Sequence, residues 1–170
     1  MIEFAAVEEA FARVHGVTED GRMAFRGRLN FLKKLGAIRS SGGRGLHLAY
    51  TMDDVWTLAL ALELLEFGLS PADVRRTVEA WRANVLHAFN TALDGTEDLF
   101  IAFRADWLAL PSTDKGDSPL RWMQARRESQ CDPRDMMAWL GPRFGLFNVS
   151  VIRRKTEAAL AEIAGEKAAA

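Results

Sequence analysis

Apolar positions recur at helical intervals over the first ninety residues of the chain. Phe4, Val7, Phe11 and Val14 fall three and four apart, the stripe of a short helix. His15-Gly16-Val17-Thr18 ends it, with Gly16 suited to a left-handed cap. Thr18 or Asp20 can cap a second helix running to about Leu35 and closed by Gly36. Its apolar side carries Phe25, Leu29, Phe31, Leu32 and Leu35. At the helical rotation of about 100° per residue, Arg22, Arg26, Asn30, Lys33 and Lys34 share an arc of about 120° opposite. Arg28 projects toward the apolar side, so either the helix begins later, near Gly27, or Arg28 emerges at the edge of the packed face.

Ala37-Ile38-Arg39 and Leu46 to Tyr50 are of strand length, and Ser40-Ser41-Gly42-Gly43-Arg44-Gly45 between them predicts a hairpin tip. Thr51 or Asp53 opens a third helix to about Phe67, apolar on most sides and stopped by Gly68. Ser70-Pro71-Ala72-Asp73 predicts an N-capped helix reaching about Ala92. Its stripe of Val74, Val78, Trp81, Val85 and Phe89 suits either a dimer seam or packing within the chain.

Past Gly95 the texture changes. Leu99 to Phe103 and Phe144 to Asn148 read as strands, Leu120 to Glu128 as a short helix, and Asp132-Pro133 as the start of another. Val149 to Ala164 predicts a final helix. The expected fold is mainly α. Residues 1–92 would form a helix-turn-helix unit with a small hairpin wing, and residues 93–170 a helical or α+β unit for dimerisation or partner contact.

Charge changes this picture. Between Gly21 and Met52 stand seven Arg or Lys, plus His47, and no Asp or Glu. The whole 170-residue chain nevertheless sums to −1, because residues 51–110 carry −6 against +3 before them and +2 after. A basic block in an otherwise acidic chain is the footprint of a polyanion-binding face. Arg22, Arg26 and Asn30 are the candidates for reading base edges. Lys33, Lys34 and Arg39 are candidates for phosphate contact. Arg44 at the glycine-rich tip could enter a minor groove, with His47 nearby on the backbone. Arg28 suits a structural ion pair as well as a DNA contact.

With 49% apolar and 26% charged residues the chain can bury a core, and its short apolar runs predict no membrane span. The start of the chain has no signal-peptide pattern, and cytoplasmic residence is expected. A lone cysteine, Cys131, forms no internal disulfide, and neither it nor His87 has a neighbour at metal-ligand spacing. No nucleophile elbow or phosphate-binding glycine pattern occurs, so no enzyme and no cofactor are expected. The five tryptophans are spread along the chain, as core filler is, rather than gathered as around an effector.

Four segments, taken in order, resemble the MerR-type winged helix-turn-helix. Phe11 to Thr18 is similar to that family's first helix and turn, and Leu29 to Ile38 to the end of its recognition helix. Tyr50 to Val55 and Phe67 to Val74 are similar to the helix entries that follow its wing. The resemblance covers roughly residues 4–80, with a longer stretch between Gly16 and Gly36 than the family's own and without the cysteines of its metal sensors. It implies a regulator that binds double-stranded DNA, expected here as a homodimer on a palindromic site. Excisionases and packaging subunits of phage type share the architecture, and a protein-interaction adaptor on the same scaffold is a further alternative.

Overall fold

The structure, a computed structural model, describes residues 1–34, 49–104, 123–140 and 144–169, except the side chains of Arg104 and Trp139. Among these residues it is mainly helical, with six α-helices and two small antiparallel sheets. Strand β1 (Ile2–Glu3) leads into α1 (Phe4–Val14), and a 3-10 turn at Glu19–Gly21 leads into α2 (Arg22–Lys34). Then come β2 (Ala49–Tyr50), α3 (Met52–Glu66), α4 (Pro71–Thr91) and β3 (Leu99–Arg104). The remaining elements are β4 (Met123–Arg127), α5 (Pro133–Leu140), β5 (Phe144–Asn148) and α6 (Val149–Ala169). No helix among the described residues is long and apolar enough to cross a membrane.

Local signals set most of the helix boundaries. Gly16, at φ 61°, turns the chain out of α1, a conformation cheap only for glycine. Thr51 caps α3 reciprocally: its hydroxyl accepts from the Asp54 amide, and the Asp54 carboxylate accepts from the Thr51 amide at 3.0 Å. Gly68, at φ 94°, follows the end of α3, and Ser70 caps α4 with Pro71 at its first position.

Helix α3 is buried on most sides, as its composition predicts, and α4 lies along it. Trp56 of α3 stacks on Phe89 of α4 with ring centroids 5.1 Å apart. Val74, Val78, Val85 and Phe89 are all buried within the chain itself. Beyond α4, β3 is the middle strand of a three-stranded antiparallel sheet, with β4 and β5 at its sides. Its registers pair Ile101 with Ala125 and with Phe147.

The sequence reading of Leu120 to Glu128 as a helix is corrected here, since Met123–Arg127 is a strand. Pairing with β3 overrides the local pattern. Met123 is buried beneath the sheet, and the Arg127 guanidinium donates to the carbonyls of Thr91, Asp94 and Glu97. Hence the described residues of the second half include three strands rather than two.

Packing does not break at residue 92. One hydrophobic cluster runs from Val7 and Phe11 through α2, α3 and α4 to Phe103, Phe147 and Val149. Ser150, fully buried, donates to the Ala92 carbonyl and accepts from the Leu99 amide, pinning the start of α6 to the end of α4. Helix α6 then lies against α1, where Ala159 and Ile163 meet Ala10. At the rim of that contact Arg13 pairs with Glu162 and Glu166.

The paired strands expected on either side of the glycine-rich tip lie largely outside the described residues. Ala49–Tyr50 is described, and its partner is Ile2–Glu3 of β1.

Candidate nucleic-acid interface

Helix α2 rests on the core through Phe25, Leu29 and Leu32, all buried. Those three residues fix its rotation. Two sequence expectations change with it. Phe31 is 47% exposed and not on the packed side. Arg22, Arg26 and Lys33 lie not opposite the core but on the flank facing α1.

On that flank each cation meets a partner supplied by α1. Arg22 donates through both terminal nitrogens to Glu9, at 2.5 and 3.2 Å, and stands 3.7 Å from Glu19. The Nε of Arg26 reaches both oxygens of the buried Glu8 carboxylate, at 2.8 and 2.9 Å. Lys33 places its ammonium 3.8 Å from the centre of the Phe4 ring, a cation–π contact. Hydrogen bonds from Arg22, then from Arg13, hold the Glu9 carboxyl below its ordinary range, and partial burial lowers the Lys33 ammonium.

Arg28 resolves the sequence misfit. The helix does begin at Arg22, and Arg28 emerges on the other edge, 3.1 Å from Glu66 of α3. It borders a cleft shared with His15, Gly16, Thr18, Ala24 and Glu66. His15 sits there between Phe11 and Phe25, and its burial pushes the imidazole below its ordinary value.

The outward side of α2 carries Met23, Ala24, Gly27, Phe31 and Lys34, all exposed, with Asn30 half-buried at its margin. Not one carboxylate lies on α2. Arg26 and Arg28 flank this side, their side chains 63% and 59% exposed. At about 100° per residue they stand about 200° apart by way of the outer face. Of the candidates named from the sequence, α2 therefore brings together Arg22, Arg26, Arg28, Asn30, Lys33 and Lys34, although on different sides. Arg39, Arg44 and His47 lie outside the described residues.

Sequence reasoning did not single out Glu8 and Glu9 of α1. Their i, i+1 placement on a helix whose other residues are apolar except Arg13 was the signal available. Glu8, 7% exposed, is a carboxylate that needs a cation. No protein-family model matches this chain, and no curated protein matches it.

Proposed function

We propose that the chain is a sequence-specific, duplex-DNA-binding regulator that lays α2 in the major groove. The observation that carries this reading is the outward side of α2, which is free of carboxylates and has an exposed guanidinium on each edge. A helix entering the major groove has one phosphate backbone on either side of it. Arg26 and Arg28 stand where those two backbones would run, and Lys34 leads into Arg39, Arg44 and His47, a stretch without acids. Exposed ion pairs such as Arg28–Glu66 contribute about 0–1 kcal/mol, so a phosphate can replace the carboxylate at little cost.

The contacts differ in kind from those expected of the sequence. Arg22, 27% exposed and held by Glu9 at both terminal nitrogens, is a structural tie between α1 and α2. Arg26 and Arg28 are assigned to phosphates rather than bases. As a homodimer the protein would offer two such faces to paired half-sites.

A second reading is favoured by one observation: three arginines of α2 already meet carboxylates of the same chain. On that reading the face docks an acidic partner protein and no nucleic acid. Titrating random duplex DNA with the full chain at several salt concentrations separates the two. A phosphate-contacting face gives a straight log–log loss of affinity, with a slope of about −0.9 for each phosphate neutralised. Absence of binding at low salt rejects the DNA reading.

A further inference from the structure

We infer that the part of α2 that meets the bases is apolar and recognises the 5-methyl groups of thymine, with Phe31 as the principal contact and Gly27 as the point of closest approach. This rests on the DNA reading above and adds to it the chemistry by which sequence would be selected.

The outer face offers few groups for hydrogen bonding to base edges. Met23 is 87% exposed and Phe31 47%, and Ala24 and Gly27 lie between them. Arg22 and Lys33, which have the donors to read guanine, are turned toward α1. Apart from Lys34 in the last turn and Asn30 at the margin, what remains is apolar surface, and thymine is the base that presents an apolar group to the major groove.

Gly27 supports the same conclusion independently. It sits mid-helix, where glycine is the least favourable residue short of proline. Nothing among the described residues requires it: φ there is not positive, and an added Cβ would meet none of their atoms within 4 Å. A bare backbone on an exposed helix face is accounted for if another molecule comes close to it. Charge selects the occupant. With a guanidinium on each edge and no carboxylate on the helix, the apolar strip is framed for a polyanion.

The test uses duplexes recovered by selection from a random-sequence library, each remade with uracil in place of thymine. That exchange removes the major-groove methyl and leaves the pairing edge unchanged. The full-length protein should bind the uracil duplex about fourfold more weakly for each methyl lost, the factor that follows from burying one methyl-sized group. Phe31→Ala should bind the thymine duplex more weakly and show little further loss with uracil, because the contact is already gone. Equal affinity of the unmutated protein for both duplexes, with salt-dependent binding intact, overturns this inference and leaves the DNA reading standing. An undiminished uracil penalty in Phe31→Ala overturns the role of Phe31. If no duplex binds at low salt, the DNA reading fails and this inference falls with it.

Discussion

Single side chains in this protein have consequences that their exposure alone does not convey. Glu8 is buried, yet its partner Arg26 keeps most of its side chain in solvent. Glu8→Gln should therefore cost little stability, on the order of 1 kcal/mol, while releasing a guanidinium beside the proposed DNA face. The expected result is tighter binding to random duplex with an unchanged salt slope, because Arg26 meets a phosphate in either protein, read from the same titration. Gly145 is a residue with no such latitude. A Cβ there would fall on the ring of Phe103, which is fully buried and stacks on Phe147 with centroids 4.8 Å apart. Phe103 is also met edge-on by Phe67 at 4.9 Å, so the ring has little room to yield. Gly145→Ala should destabilise by about 2 kcal/mol or more, the usual result of overpacking a tight core, and urea unfolding would measure it.

Among the elements, helices were more legible in the sequence than strands, for a physical reason. A helix is written by neighbours three and four apart and by its caps, so Gly16, Thr51, Gly68 and Ser70-Pro71 mark boundaries that the structure bears out. The cap at Thr51 joins by side chain and backbone to Asp54, and Thr51→Ala should lower stability by about 1 kcal/mol, seen as a reduced thermal midpoint. Strand β4 was not legible, because what makes Met123–Arg127 extended is its pairing with β3, some twenty residues earlier in the chain. The rotation of α2 lay between these extremes. Its amphipathic stripe was visible, but Phe31 looked as apolar as Leu29 and Leu32. Which flank faced α1 depended on Glu8 and Glu9, residues a helix away. The basic block was thus readable as composition, while its division into paired, flanking and outward cations was not.

At the scale of the whole molecule, the end of α1, together with α3 and α6, carries a set of charges that influence one another. His15 and Glu63 both feel Glu66 and Lys155. Burial lowers the His15 imidazole from its ordinary 6.5, so the unfolded chain takes up that proton first on acidification. Its contribution to stability is complete above pH 6.5 and is lost as pH falls through the lower folded value. Glu63 works in the opposite sense. Burial first, and Glu66 second, raise its carboxyl above the ordinary 4.5. Its contribution is therefore present below pH 4.5 and lost as pH rises through the raised value, leaving an unfavourable charge at neutrality. Glu63→Gln should accordingly raise the thermal midpoint at pH 7, with the gain fading toward pH 4. A series of melts between those pH values would show a gain independent of pH if this account of Glu63 is mistaken.

The contact between α6 and α1 has a consequence for synthesis. The flank of α1 that bears Ala10 and Arg13 is covered by residues beyond 150, while Glu8 and Glu9 hold Arg26 and Arg22 of α2. A nascent chain still on the ribosome can form its early helices but cannot close them until some hundred and fifty residues have been made. Products cut short before α6 would expose that bare flank, and cellular proteases would be expected to clear them.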